Sequence, residues 1–512
     1  MHADDRLDGP RRWSGWFAVL RREAPQPVTR LPWPGVGLLV CYAIGLGLSE
    51  YFVIGPAFDY LGFEFARPDW SIALILLVPY VLCARRLPVS WERASTIVYW
   101  MLFLVVVASV HVMPVFIEDV GPSMWVMVAS IDVAFWLLGG IYSLPLASIP
   151  RPRVSGRLFW WSFAAAWAGL LVLIAVNYGD NFNFSAFFDI YGQRAHYRAQ
   201  LEETSRFVRY SVTWVGNVIA PIALARGLLA RKWLWAVAAV LTELFLVGMT
   251  GFKQLMFSSV LVIAVVLLVK FTDIRKIGAR IAVLVSGGVI LLTLAEWVLG
   301  MHAVSSIVVR RLVLTAGLNT QYFFEFFSDH DKANLGYGLL SGLVDYPYSL
   351  NPAYLIGAVY YGNAATSANV NVWADAFANF GVPGVLAFTG LLAVVLYLAD
   401  SLSSRLVPGI GVAALALTSF SLSNTALLTV LLTHGLLLVL ACLYLMPAEE
   451  DATGTSPRVR RTGRTGRTQG TGRTRRTPTA RRARGGTDRA DGAAAEPSTH
   501  TGTGTEPERR VR

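Results

Sequence analysis

Ile281-Ala282-Val283-Leu284-Val285-Ser286-Gly287-Gly288-Val289-Ile290-Leu291-Leu292-Thr293-Leu294-Ala295-Glu296-Trp297-Val298-Leu299 carries one ionisable side chain in nineteen positions. Coiled at about 1.5 Å per residue, such a run covers nearly the whole hydrocarbon core of a bilayer, roughly 30 Å. A basic patch, Arg275, Lys276 and Arg280, precedes it, and comparable apolar runs recur along the chain. Of 512 residues, 54% are hydrophobic and 15% charged, with a mean hydropathy of +0.51. Soluble domains carry about 25% charged residues. A water-soluble globular enzyme is excluded, and the reading is an all-α polytopic membrane protein.

Lys and Arg collect in cytoplasmic loops, so charge threads the spans. Twelve are expected, at about 31–55, 70–84, 94–117, 124–146, 158–176, 210–229, 233–249, 255–270, 281–299, 381–398, 407–424 and 426–446. Both termini then lie in the cytoplasm, with outer loops at about 177–209 and 300–379. Residues 1–30 form a basic cytoplasmic leader with no cleavable signal peptide, and residues 31–448 form the membrane domain. Cys41, Cys83 and Cys442 all fall inside expected spans, where their spacing builds neither a disulfide framework nor a zinc site. Residues 449–512 carry fifteen arginines and eight acids, and hence most of the net charge of +11. This Arg/Thr/Gly-rich tail has almost no large apolar residue, so it is expected to be disordered and attracted to anionic headgroups. No aromatic residues interleave with its arginines for base stacking, which argues against nucleic acid.

Positive charge on the expected outer side breaks the rule. Arg194, Arg198, Arg206 and Arg209 lie in the first outer loop, Lys253 in the turn between the seventh and eighth spans, and Arg310-Arg311 in the second outer segment. Two readings stand. Arg194, Arg198, Glu202 and Arg206 are spaced at four, so a helix would pair them on one face. Alternatively, cations from three segments grip an anion, because guanidinium forks match phosphate oxygens; at that depth the expected anion is a lipid-linked diphosphate.

The second outer segment reads first as an amphipathic helix over 305–327, ending in Tyr322-Phe323-Phe324-Glu325-Phe326-Phe327 and suited to lie in the interface plane. Residues 335–361 follow, with Tyr337, Asp345, Tyr346, Tyr348, Asn351, Pro352 and Tyr354. These are flat faces and short polar groups of the kind a sugar cleft uses. Then Asn371, Asp375 and Asn379 fall at i, i+4 and i+8 on one helical face, opposite Trp373, Phe377 and Phe380. Such a polar stripe faces either a cavity or a hydrogen-bonded helix seam.

The order of these features resembles a known family: a Thr250-Gly251-Phe252-Lys253 turn, an Arg pair, and Asn-x-x-x-x-Asp-x-x-x-Asn-Phe-Gly-x-x-Gly entering a late span. It resembles the O-antigen polymerases, the oligosaccharide repeat-unit polymerases of the Wzy type, and more distantly the O-antigen ligases. The resemblance spans roughly residues 177–398. It implies a GT-C-like membrane glycosyltransferase at the outer face of the bacterial cytoplasmic membrane, needing no metal, cofactor or nucleotide sugar. The donor would be a polyprenyl-diphosphate-linked oligosaccharide and the acceptor a hydroxyl of the next lipid-linked repeat unit; a flippase and chain-length regulator proteins are the implied partners.

Carried over residue by residue, Lys253 and Arg310 or Arg311 would contact the diphosphate, joined by Arg194, Arg198 and Arg206. Asn371, Asn379, Tyr346 and Tyr348 would hold glycan. Asp375 is the first candidate for the base that activates the acceptor, with Asp345 and Glu325 behind it. Related ligases place a His before the Asn-rich motif, where this chain has Thr366, Asn369 and Asn371. A ligase-like transferase and a lipid-linked-oligosaccharide flippase are the competing expectations; the lack of an internal repeat and of midplane charge counts against transport.

Overall fold

The computed structural model describes residues 28–63, 67–118, 120–183, 193, 197, 200, 204–338 and 340–448, except for the side chains of Lys253 and Met256. Almost all of the leader and the whole tail lie outside the described residues. Among those described there is no β-strand, only isolated bridges of Arg30 with Pro88 and Ser341 with Val344.

In chain order the helical runs are α1 (Trp33–Leu61), α2 (Trp70–Arg86), α3 (Thr96–Phe116), α4 (Pro122–Ser143), α5 (Gly156–Asn181), α6 (Arg206–Leu229) and α7 (Trp233–Thr250). They continue with α8 (Lys253–Phe271), α9 (Ile274–Leu299), α10 (303–329), α11 (Pro352–Tyr360), α12 (Val372–Ser403), α13 (Ile410–Leu422) and α14 (Leu427–Leu445). Among the described residues, nine are long and apolar enough to cross a membrane: α1, α3, α4, α5, α6, α7, α9, α12 and α14. Three further expected spans coincide with α2, α13 and the 257–271 part of α8, shorter apolar runs than those nine.

Lipid offers no hydrogen bonds, so a helix that breaks inside the bundle must find partners for its freed carbonyls. α14 breaks at Gly435, and α6 answers it: Thr213 Oγ1 donates to Thr433 O at 2.6 Å and Trp214 Nε1 to Leu432 O at 2.9 Å. α3 is the most enclosed of the long helices and carries Tyr99, Trp100 and Phe103 fully buried.

One end of the bundle is fixed by polar contacts. Trp91 N donates to Ile274 O at 2.9 Å. Asp400 accepts from Ser95 N at 2.7 Å and Ser95 Oγ at 2.8 Å, with Arg93 at 3.9 Å. α9 and the later part of α12 both leave this end, so Leu299 and Gly381 stand at the other, roughly 30–40 Å away at a helical rise.

At that second end the chain departs from expectation in two places. The run 303–329 does not lay its aromatic end on lipid: Phe323, Phe324, Phe326 and Phe327 are buried in protein, against α3, α4 and α12. Residues 306–314 are wound as a π-helix, which shifts the phase of everything after them relative to a 3.6-residue period. The other departure is in α12, which folds back on itself at Phe380 (φ −143°, ψ 17°) and Gly381 (φ 62°, ψ −154°). Trp373 Nε1 therefore reaches Thr389 Oγ1 at 3.0 Å, although sixteen residues of straight helix would hold them far apart. Gly381 occupies a region open essentially to glycine alone. Gly384 packs so closely against Ala376 O and Phe380 Cβ that a Cβ there would collide with backbone.

Gly381→Ala is accordingly expected to cost about 1–3 kcal/mol and Gly384→Val more. Gly390→Ala, at a position with open space around it, stays within about 1 kcal/mol of wild type. Thermal unfolding of the detergent-solubilised protein measures all three.

Candidate functional site

The fold-back turns 372–380 into a short arm lying beside its own helix, and the polar stripe of that arm faces α10 and the segment after it. Asn371 caps the arm: its Oδ1 accepts from Trp373 N at 2.9 Å and Ala374 N at 3.2 Å, and its Nδ2 donates to Thr320 Oγ1 at 2.7 Å. One turn on, Asp375 Oδ1 accepts from Tyr337 Oη at 2.7 Å. A further turn on, Asn379 Oδ1 accepts from Leu335 N at 2.7 Å, and its Nδ2 donates to Asp375 O at 2.8 Å and Tyr337 Oη at 3.4 Å. Ala333 N adds a bond to Ala378 O at 2.9 Å. The stripe is thus a hydrogen-bonded seam along most of its length, with Asp375 retaining 6% exposure. No hydrogen bond from the described residues reaches the second Asp375 oxygen.

Tyr337 is held there by an unusual turn. Asn334 and Leu335 have φ of 49° and 58°, a left-handed conformation that is unfavourable for leucine. The Asn379 bond to Leu335 N and the Ala333–Ala378 bond offset that cost and aim the Tyr337 phenol at the carboxylate. Burial, and then the Asp375 charge, push the Tyr337 phenol far above its usual value, so it remains a donor across the physiological range.

Around this pair lie flat faces. The Tyr346 ring stands 5.7 Å from that of Tyr337 and 5.6 Å from that of Tyr348. Both are half-buried, with hydroxyls engaged by Leu350 O and Asp331 O, so each presents its ring face more than its hydroxyl. Lys332 stands on the other side of the arm: its ammonium lies 4.6 Å over the Phe377 ring and donates to Phe327 O, and its Cε is 3.6 Å from where a Gly381 Cβ would be. Partial burial lowers its pKa, opposed by Asp329. A second group of aromatics continues toward α1. Tyr361 Oη donates to Asn319 Oδ1 at 2.7 Å, Asn319 Nδ2 donates to Asn369 O at 2.8 Å, and Tyr322 stacks on Tyr360 at 4.2 Å.

Of the residues singled out from sequence, Asp375, Asn371, Asn379, Tyr346 and Tyr348 are therefore brought into one connected patch. Arg310 lies at its margin: the guanidinium stacks 4.3 Å over Phe58, bonds Ser306 Oγ, and its charge is felt by Tyr361. Arg311 is exposed, and so is Arg206, the first residue of α6. Arg194, Arg198 and the Lys253 side chain lie outside the described residues. The 249–253 turn meets Gln193 and Tyr197. Asp345 and Glu325 are exposed. Lys332, Thr320 and Asn319 are additions of the structure, and Tyr337 gains a defined partner. The sequence clue to Lys332 is that it is one of only five lysines and lies five residues beyond the aromatic run. A cavity of about 490 Å³ between α2 and α4, lined by Cys83, Arg86 and Asp132, does not touch this patch.

No protein-family model, no curated protein and no solved structure matches the chain. Its chemistry is argued from the patch itself.

Asn379→Ala removes the acceptor for Leu335 N and the donor to Asp375 O, leaving buried groups unanswered. A loss of about 1–3 kcal/mol in thermal or denaturant unfolding is expected. Tyr337→Phe, which deletes one hydroxyl at the edge of the patch, costs less stability than Asn379→Ala.

Proposed function

We propose that this protein is a membrane glycosyltransferase that lengthens a glycan on a polyprenyl-diphosphate carrier at the outer face of the bacterial cytoplasmic membrane. In this reading the chain crosses the membrane about twelve times, with both termini in the cytoplasm and the Asp375 patch at the outer end. The observation that carries the proposal is the Asp375–Tyr337 pair, buried beside the Tyr346 ring. The ordered motifs around Lys253, Arg310-Arg311 and Asn371–Asn379 add to it.

The chemistry required is modest. The acceptor hydroxyl gives its proton to Asp375, and its oxygen forms the new bond to the anomeric carbon of the donor glycan. The anomeric carbon–oxygen bond to the diphosphate breaks, and its electron pair leaves on the phosphate oxygen. Negative charge grows on that leaving group, so cations fixed nearby lower the barrier without reorganising. Lys332, Arg310, Arg311 and Lys253 are the candidates. Tyr337 holds the carboxylate in orientation through one oxygen and leaves the other for the acceptor. Tyr346 and Tyr348 offer ring faces to sugar.

Purified protein incubated with a polyprenyl-diphosphate repeat unit alone should yield a ladder of lengthening glycans. Asp375→Asn is expected to slow the ladder by about 10²–10⁴-fold, and Lys332→Ala and Arg311→Ala to weaken it while expression persists. Product formed only when a different acceptor is added would make the enzyme a ligase instead. A ladder unchanged in Asp375→Asn would remove the assignment of the base.

A further inference from the structure

Glu50 lies in α1, in a segment long and apolar enough to span a membrane, and it is 1% exposed. Neither carboxylate oxygen has a hydrogen-bond partner, and no ion pair reaches it among the described residues. Three buried hydroxyls close to it in the fold share that condition: Ser49, Thr293 and Ser305. In a helix such hydroxyls ordinarily donate back to the carbonyl one turn earlier. Ser109, Ser211, Thr250, Thr320 and Thr389 all do so in this chain. Ser49, Thr293 and Ser305 forgo that bond. Thr96 and Thr418 also lack partners but belong to α3 and α13, away from this group.

Packing brings the four residues to neighbouring turns of α1, α9 and α10. A Cβ on Gly45 would lie 3.0 Å from Val289 and 3.1 Å from Ile290, and Phe52 meets Trp297 at 5.2 Å. Counting evenly between those contacts aligns Ser49 with Thr293. Thr293 and Glu296 share the buried face of α9, and Glu296 accepts from Val304 N at 2.7 Å and Ser305 N at 2.9 Å. That fixes Ser305 over the same face. Glu50 opens a π-helical turn, Glu50–Ile54, which packs on both α9 and the π segment of α10. Such turns frequently mark functional sites.

We propose that Glu50, Ser49, Thr293 and Ser305 form a binding site for a single sodium ion. Buried polar groups without protein partners call for an ion or water to answer them. No hydrogen bond joins the five side-chain oxygens to one another, as expected of ligands around an ion: at the about 2.3–2.6 Å contacts of calcium, nearly the same size as sodium, neighbouring ligands stand roughly 3.4 Å or more apart. Glu296 is already answered by Val304 N and Ser305 N, so Glu50 is the one carboxylate there left to a ligand, and with neutral hydroxyls it balances one positive charge. A divalent cation would leave a net charge in apolar surroundings, which is unfavourable. The nearby cation of the protein, Arg310, is committed to Phe58 and Ser306. The ion would tie α1 and α9 to the start of α10, five residues before Arg310, and so hold that arginine's helix in place. The site stands independently of the glycan chemistry proposed above.

The full-length protein in detergent tests it, with sodium chloride against choline chloride at equal ionic strength. Sodium is expected to raise the thermal midpoint saturably and choline to leave it unchanged, with radioactive sodium binding at one ion per chain. Glu50→Gln should abolish both responses while its midpoint in choline stays at or above that of wild type. Ser49→Ala and Thr293→Val, milder changes that keep the carboxylate, should each shift the half-saturating sodium concentration upward tenfold or more. A wild-type midpoint indifferent to sodium, or a sodium response intact in all three variants, overturns the proposal; the first result would mean that the pocket holds only a proton or water.

Discussion

A helix that reverses direction inside a bundle must satisfy the backbone groups it frees and must find a residue that tolerates the turn. Gly381 meets the second demand with a conformation closed to other residues. Asn371 meets part of the first by capping the arm that the reversal creates. Everything in the candidate site depends on that arm. It presents three polar side chains to α10 and to the loop after it, while Trp373 and Phe377 anchor its other side against Thr389 and Phe324. The arm is stabilised by side-chain bonds along its full length, so the carboxylate it carries is held in one place.

The same economy appears at three places where charge enters the apolar bundle. Asp400 gathers a backbone amide, a hydroxyl and the Arg93 guanidinium. Glu243 takes hydroxyls from Ser258 and Ser259. Arg226 is stacked between Trp160 at 3.6 Å and Trp235 at 4.1 Å, where ring faces replace solvent. Charges taken out of water are costly unless paired, and these three have found partners. Glu50 stands apart because it has not.

Apolar runs of bilayer length are a property of composition, and the helical framework was legible from them. So was the Asn371–Asp375–Asn379 stripe, because a regular helix keeps residues four apart on one face. The position of 303–329 was not. Its nine-residue π segment uses more residues per turn, so an amphipathic pattern read at 3.6 assigns the wrong outward face to Phe323 and Phe324. The partners of Asp375 were hidden for another reason. Tyr337 is thirty-eight residues away in sequence, and two left-handed residues before it set its direction. The fold-back was masked as well, since Phe380-Gly381 sits within a continuous apolar stretch that reads as a single span entrance.

The wide winding of 306–314 has a further implication for how such a chain can change over generations. Were the segment to rewind as ordinary α-helix at unchanged length, each of its residues would turn the helix by about 100°, more than in the wider π form. Thr315–Asp329 would rotate as a block by the accumulated difference. Thr320 would swing off Asn371 and Phe324 off Phe377 in one event, with no substitution anywhere in the site. The wide winding and the placement of the site are therefore inherited together: the residues that hold 306–314 in the π form also set which face Thr315–Asp329 presents.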